Sequence, residues 1–215
     1  MAALGVDEPP ILRAADPASI DAAIEALWAG GIVGVPTETV YGIAVVPSLE
    51  NLRQLLIAKQ RPTEKGIALM VDSLAQVEAL ADVPPAARRL AERLWPGPLT
   101  LVLAPLVDTV VELPGPLFGA TGDLGFRLPD HAVPRHLAAR LGPIAVTSAN
   151  LSGQPDSLTV SELIAAIGGS LALVLDDGPV RGGVPSTVVA IRRGEQPRIL
   201  RHGALADDAI LGALR

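Results

Sequence analysis

The sequence lacks cysteine and is poor in aromatic residues. None of its 215 residues is cysteine, which excludes disulfides, thiolate metal sites and cysteine nucleophiles. Aromatic residues make up only 2% of the chain, whereas hydrophobic residues of all types make up 49%. The core must therefore be built from valine, leucine, isoleucine and alanine. The absence of cysteine also fits a reducing cytoplasm, which is the predicted location.

Long apolar runs and an excess of basic residues are missing too. No apolar stretch approaches the ~18 residues that a membrane-spanning helix needs, and the N-terminus has no signal-peptide pattern. We therefore expect no membrane association. The net charge of −6 argues against a surface for extended nucleic-acid binding, because such surfaces are basic. A basic pocket inside an acidic protein is still compatible with this composition.

The order of the predicted elements indicates a single α/β domain. A chain of this length can bury a substantial core as one domain. Because no linker divides it, we predict one domain over residues 1–215 with its core at about 17–205. Strands and helices alternate without a strict βαβ rhythm, and a hairpin near Gly194 is antiparallel. This pattern predicts a mixed sheet with flanking helices.

Local patterns place the individual elements. Capping boxes are predicted from Ser73 with Gln76 and from Thr159 with Glu162, and the apolar stripe of the first helix is predicted to include Trp28. The segment 105–121 is ambiguous, part strand and part loop. The predicted strands are Ile11–Arg13, Ile32–Val35, Ile67–Val71, Leu99–Leu103, Leu124–Leu128, Ile144–Val146, Leu171–Leu175, Thr187–Ile191 and Arg198–Arg201.

Two kinds of cation are concentrated in one short segment. The only two lysines, Lys59 and Lys65, flank Arg61. A lysine ammonium is a compact point charge, whereas the arginine guanidinium is a planar fork. Both types within seven residues suit a ligand with several anionic oxygens, such as a phosphate chain. The alternative is a helix C-terminus whose cations complement the helix dipole.

Three loops rich in hydroxyl residues follow predicted strands. They are Thr37–Tyr41, Ser148–Gly153 and Gly182–Thr187. Strand ends of this kind bind ligands in open α/β sheets, and clustered N–H and hydroxyl donors suit anionic oxygens. Ordinary serine and threonine turns are the alternative for any one loop. If residues 37–41 stay extended, Thr37, Thr39 and Tyr41 share one face.

The common nucleotide and metal signatures are absent. The sequence contains neither a P-loop nor a G-x-G-x-x-G motif, and its three histidines do not have zinc spacing. No metal site is therefore predicted. Ser148 and Ser152 do not form a nucleophile elbow.

An ordered set of short motifs spans nearly the whole chain. The motifs are P-T-E-T-V-Y-G at 36–42, K-Q-R-P at 59–62, W-P-G-P-L-T at 95–100, F-R-L-P at 126–129, T-S-A-N-L-S-G at 147–153, P-S-T-V-V at 185–189 and L-R-H-G at 200–203. In this order they resemble the YrdC-like family of threonylcarbamoyl-adenylate synthases, and in particular its short single-domain bacterial type. The resemblance implies a twisted mixed sheet around a positively charged cavity.

The resemblance also implies a reaction and its participants. L-threonine, bicarbonate or CO2, and ATP would form threonylcarbamoyl-AMP and pyrophosphate, with Mg2+ accompanying ATP. Downstream transfer proteins would then place the threonylcarbamoyl group on adenosine 37 of tRNA, with weak or no direct tRNA binding by this chain. No general base is evident, and the carbamate of the substrate itself makes one unnecessary.

Site roles follow from the same resemblance, residue by residue. The implied catalytic residues are Lys59 and Arg61. The implied ATP ligands are Lys59, Arg61, Lys65, Asn150, Ser186 and Arg201. The implied threonine ligands are Thr37, Arg127 and Ser148, of which Arg127 offers a bidentate fork for the carboxylate. Thr39, Tyr41, Ser152 and Thr187 are expected to line the cavity.

The sequence departs from longer family members at several positions. Met70 stands where they have a histidine near threonine, so no threonine role is carried over to it. The segment after Gly153 is one residue longer than usual, so no nucleotide role is assigned to Ser157 or Thr159. The alternatives are an RNA-binding module without adenylate-forming activity and the carbamoyl-transfer domain of hydrogenase maturation proteins. Five aromatic residues and a net charge of −6 provide poorly for RNA stacking and phosphate contacts.

Overall fold

A computed structural model describes residues 8–215, in which one ten-stranded sheet runs through the molecule. The strands lie in the order β1-β8-β2-β3-β7-β4-β6-β5-β9-β10. Their bounds are β1 Ile11–Arg13, β2 Val33–Val35, β3 Gly42–Val45, β4 Ala68–Met70, β5 Leu99–Leu103, β6 Leu124–Arg127, β7 Ile144–Ser148, β8 Leu173–Asp176, β9 Thr187–Ile191 and β10 Arg198–Arg201.

Parallel and antiparallel pairs alternate irregularly across this sheet. The pairs β1–β8, β2–β8, β4–β6 and β5–β9 are parallel. The pairs β2–β3, β3–β7, β4–β7, β5–β6 and β9–β10 are antiparallel. The predicted mixed α/β fold is therefore confirmed, as is the antiparallel hairpin near Gly194.

Helices flank the sheet, and some of them begin at a residue whose side chain caps the first turn. Their bounds are α1 Pro17–Trp28, α2 Leu49–Lys59, α3 Leu74–Glu78, α4 Pro85–Leu94, α5 Val107–Glu112, α6 Ala132–Leu141, α7 Val160–Ile167 and α8 Asp207–Leu214. The predicted capping box of α7 forms between Thr159 and Glu162. None of the helices within residues 8–215 has the length and apolarity needed to span a membrane.

Some local predictions were wrong. Ser73 makes no side-chain cap on α3. Its hydroxyl donates to Asp72 Oδ1 at 2.9 Å, and Gln76 accepts from the Asp72 N–H rather than from the Ser73 N–H. Trp28 is 65% exposed rather than part of the buried stripe. The ambiguous segment 105–121 forms α5 and a short 3-10 helix at Gly115–Leu117. Strand β3 was not predicted, because the P-T-E-T-V-Y-G motif that overlaps its first residue is typical of a ligand-binding loop.

The two faces of the sheet have different surroundings. In β4, Leu69 packs into the main hydrophobic core, whereas Ala68 and Met70 line a cavity. The same alternation holds in β6, where Phe126 is in the core and Arg127 lines the cavity. Successive side chains of a strand point to opposite faces. In β4 and β6, one sheet face therefore supports the main core while the other forms a cavity wall.

Candidate active site

The candidate site is a cavity of about 480 Å³ on this second sheet face. Strands β3 to β7, together with β9 and β10, contribute lining residues, and loops close the sides. Its apolar wall includes Ile67, Met70, Val102, Leu117, Val146 and Val188. Its polar wall includes hydroxyl and charged side chains that lie far apart in the sequence. The sheet topology is what brings them together.

Three arginines from different parts of the chain line the cavity: Arg61 follows α2, Arg127 ends β6 and Arg201 ends β10. The Arg61 guanidinium donates to the carbonyls of Lys65 and Gly66 at 3.2 and 3.1 Å. Burial lowers the pKa of Arg61, and the nearby charge of Arg201 lowers it further. Two guanidinium groups whose charges repel each other favour an anionic ligand, because such a ligand relieves the repulsion.

Arg201 is held by the loop before β9. Its Nε and Nη2 donate to the carbonyl of Ser186 at 3.2 and 2.8 Å, and Nη2 also donates to the Ser186 hydroxyl at 3.1 Å. Burial lowers the pKa of Arg201; the carboxylate of Asp156 opposes this effect, and the Arg127 charge adds to it. Ser186 and Arg201 therefore form one unit at the cavity wall, as expected if both contact the same ligand.

Arg127 begins a directional chain of hydrogen bonds. Its Nη2 donates to Thr39 Oγ1 at 3.0 Å. The Thr37 hydroxyl donates to the Val40 carbonyl at 2.6 Å, so in the 2.9 Å contact between the Thr37 and Thr39 hydroxyls Thr39 must be the donor. Thr37 Oγ1 also accepts from the N–H groups of Thr39 and Val40. Thr37 lines the cavity, but its hydroxyl proton is already used within the loop.

Residues 37–41 form this compact turn rather than an extended segment. Tyr41 consequently points away from the cavity and is fully buried. Its hydroxyl donates to the Gly178 carbonyl at 2.8 Å, and burial raises its pKa to about 12. The expectation that Tyr41 lines the cavity is wrong, because a partner far along the chain holds the ring in the core.

Lys59 lies beneath the Ser148–Asn150 segment and is only 1% exposed. Its ammonium donates to the Ser148 carbonyl and to Asn150 Oδ1, the latter at 2.9 Å. Burial lowers its pKa to about 8, the neighbouring charge of Arg61 contributes, and Asp156 opposes the shift. Lys59 is not among the residues that line the cavity. It supports the segment from behind.

The remaining predicted residues divide between the cavity and its surroundings. Ser148 and Thr39 line the cavity, and buried Asn150 lies behind Ser148, which donates to Asn150 Oδ1 at 2.6 Å. Three residues predicted near the ligand lie elsewhere. Lys65 is exposed outside the lining, and Thr187 is buried with its hydroxyl donating to the Leu205 carbonyl. Ser152 is also outside the lining, with its N–H donating to the Lys59 carbonyl.

Sequence reasoning missed several polar cavity residues. Thr100, Asp123 and Asp156 all line the cavity. Thr100 could have been found, because it belongs to the W-P-G-P-L-T motif and alternates with core residues Leu99 and Leu101. Asp156 carried no such signal, since it lies in an irregular loop.

Comparisons with known proteins find relatives over most of the chain. The sequence model of the Sua5, YciO and YrdC family, described as "Telomere recombination", matches residues 25–203. A threonylcarbamoyl-AMP synthase of Vibrio cholerae is 34% identical over 190 residues, which cover 86% of this chain and 97% of that protein. A threonylcarbamoyl-AMP synthase of Pyrococcus abyssi is 36% identical over 179 residues, or 82% of this chain and 51% of that protein.

Solved structures show the same fold. Sua5 of Pyrococcus abyssi, determined in complex with L-threonine, superposes with a TM-score of 0.85 at 31% identity. The match covers 96% of this chain and 60% of that one, so this chain spans only part of the length of the Pyrococcus protein. YciO of Escherichia coli superposes with a TM-score of 0.81 at 22% identity, covering 94% and 98% of the two chains.

Proposed function

The chain belongs to the Sua5, YciO and YrdC family, and we propose that it is a threonylcarbamoyl-AMP synthase. Three arginines around one cavity carry this proposal. The relatives from Vibrio cholerae and Pyrococcus abyssi that bear this name support it. The substrates are L-threonine, bicarbonate or CO2, and ATP.

The nucleotide occupies the side of the cavity formed by Arg61, Ser186 and Arg201. Arg201 and Ser186 are already hydrogen-bonded to each other, and Arg61 lies near enough to Arg201 to lower its own pKa. These groups suit phosphate oxygens, because fixed cations stabilise the charge of a phosphoryl group under attack. Lys59 and Asn150 act from behind by holding Ser148 in place. Lys65 is assigned a smaller role, since it is exposed outside the cavity.

Arg127 receives the carboxylate of L-threonine. Its Nε contacts the Gly97 carbonyl, its Nη2 contacts Thr39 and Glu38, and Nη1 makes no protein hydrogen bond within residues 8–215. The carboxylate therefore meets Nη1 first, and a bidentate contact that also uses Nη2 requires its contact with Thr39 or with Glu38 to break. Ser148 and the Thr37 loop form the adjoining wall.

The reaction joins two anions, which explains the density of cations. The threonine amine adds to the carbon of CO2 and loses a proton, which gives an N-carboxylate. One oxygen of this carboxylate attacks the α-phosphorus of ATP, and the bond to the β-phosphate oxygen breaks to release pyrophosphate. Arg61, Arg127 and Arg201 hold the reacting groups together against their repulsion.

The product is an activated carbamoyl group that a later step consumes. Transfer proteins would carry it to adenosine 37 of tRNA, and Mg2+ would enter with ATP. We place the reaction in the cytoplasm, where tRNA is modified, without direct tight binding of tRNA by this acidic chain.

Pyrophosphate release from ATP tests the proposal. We expect release only when L-threonine and bicarbonate are present together, accompanied by threonylcarbamoyl-AMP detected by mass spectrometry. Release that ignores threonine, or tight and salt-sensitive binding of tRNA with no turnover, would reject the proposal in favour of another activity.

A further inference from the structure

Asp156 is a carboxylate that faces the cavity without a direct partner. It lines the cavity and is half-buried. None of the seven ion pairs within residues 8–215 includes it, and its side chain accepts no hydrogen bond from those residues. Its charge nevertheless acts on Lys59 and Arg201. In each of them it partly offsets the lowering of the pKa that burial causes.

The other cavity aspartate, Asp123, is in a different situation. Its two oxygens each lie 2.9 Å from Arg192 Nη2, and one also accepts from the Thr121 hydroxyl at 2.6 Å. Asp123 is therefore neutralised within the protein and ties the 121–123 loop to the end of β9. Asp156 is the acidic side chain of the lining that is left available for a ligand.

The unpaired carboxylate of Asp156 would repel an ATP triphosphate that carries no metal ion. The two groups carry the same sign, and Arg201 would have to serve both at once. The conflict disappears when a cation lies between carboxylate and phosphate. Mg2+ suits that position, because it prefers oxygen ligands and commonly combines one or two protein carboxylates with phosphate oxygens and water.

We propose that Asp156 is the protein ligand of the Mg2+ ion that accompanies ATP, directly or through a coordinated water. The proposal rests on the proposed function, in that the cavity must hold ATP. Within residues 8–215 no cluster of three or more acidic or histidine side chains could hold a metal by itself. The ion therefore arrives with the nucleotide, and Asp156 distinguishes the magnesium complex from free ATP.

Calorimetric titration of ATP, without threonine, tests the inference independently of turnover. Wild-type protein and Asp156→Asn are each titrated in excess Mg2+ and in EDTA, and Asp108→Asn serves as a control for an exposed aspartate outside the cavity. We expect wild type to prefer the magnesium complex by at least about tenfold. Asp156→Asn should bind metal-free ATP more tightly than wild type and lose most of the magnesium preference, while Asp108→Asn matches wild type.

The alternatives give different results. If Asp156→Asn weakens ATP binding equally with and without Mg2+, Asp156 accepts a hydrogen bond from the nucleotide instead, and the inference is wrong. If Asp156→Asn keeps the full magnesium preference, the ion has other ligands and the inference is also wrong. If wild type binds ATP in neither condition, the proposed function itself fails. Circular dichroism of each variant checks that the fold is intact.

Discussion

Arg127 and Glu38 form an ion pair behind the cavity wall, with 2.7 Å between Nη2 and Oε1. The side chains are 7% and 20% exposed, respectively, so the pair is largely shielded from water. Glu38 does not line the cavity, whereas Arg127 does. Glu38 and the Thr39 hydroxyl thus fix one side of the guanidinium and leave Nη1 for a ligand. A buried cation without such partners would be costly.

Replacing Arg127 by lysine should separate threonine binding from ATP binding. A lysine ammonium cannot contact Thr39 and Gly97 and also present a donor to a carboxylate, because it lacks the planar fork. We expect the KM for threonine to rise by at least about tenfold while the KM for ATP changes little. Steady-state pyrophosphate release with each substrate varied in turn measures both constants.

The matched control for this change is Arg88→Lys, since Arg88 pairs with Glu78 on the exposed surface away from the cavity. It should behave as wild type, because exposed ion pairs contribute little. An equal rise in both KM values for Arg127→Lys would place Arg127 outside the threonine site.

Arg61 and Lys65 provide a second pair of substitutions. They are four residues apart, but only Arg61 lines the cavity, and Lys65 is exposed. We expect Arg61→Ala to lower turnover by at least about 100-fold, because a fixed cation at a phosphoryl group is lost. Lys65→Ala should change turnover by less than about threefold, since its charge lies in water outside the cavity.

The two rates should be measured in the same pyrophosphate assay, with thermal unfolding as a check on the fold. Comparable losses in both variants would mean that Lys65 reaches the nucleotide after all. Wild-type rates in both would remove the segment 59–65 from the site.

Lys59 should make the stability of the protein depend on pH. Its pKa is about 8 when folded, below the ordinary value of 10.5. Between these values the unfolded chain binds more protons than the folded one, so stability rises with pH in this window. Wild type should gain about 2–3 kcal/mol between pH 7 and pH 10 relative to Lys59→Met, in which this titration is absent.

Urea unfolding of both proteins at the two pH values measures this difference, and the subtraction removes the titration of other groups. If the stability difference between the two proteins were the same at both pH values, Lys59 would keep its ordinary pKa in the folded protein.

At pH 7, Lys59→Ala should also reduce turnover by at least about 100-fold, because Ser148 and Asn150 lose the group that orients them.

Much of the fold could be predicted because its signals are local. Nine of the ten strands coincide with predicted strands, most of them short apolar runs next to glycine or proline, and the capping box of α7 is a pattern of four residues. Strand β3 was not predicted, because Gly42–Val45 directly follows the hydroxyl-rich residues 37–41, which predict a ligand-binding loop. At Ser73 the expected cap is replaced by contacts to Asp72: the Ser73 hydroxyl donates to Asp72 Oδ1, and the Gln76 side chain accepts from the Asp72 N–H.

The candidate site was predictable in its charges but not in its side-chain directions. Arg61, Arg127 and Arg201 all line one cavity, whereas Tyr41 and Thr187 turn into the core. Their orientation depends on partners such as the Gly178 carbonyl, 137 positions from Tyr41. Residue type and strand period do not report such distant partners. Lys59 is another example. The sequence predicts that it contacts the ligand, but the structure buries it beneath the Ser148–Asn150 segment that it supports.

A crystal structure with L-threonine and a non-hydrolysable ATP analogue would examine the arrangement of charges most directly. We expect the threonine carboxylate within hydrogen-bonding distance of Arg127, and the triphosphate between Arg61 and Arg201 in the same cavity. A nucleotide bound elsewhere on the molecule, or threonine with no contact to Arg127, would contradict this arrangement.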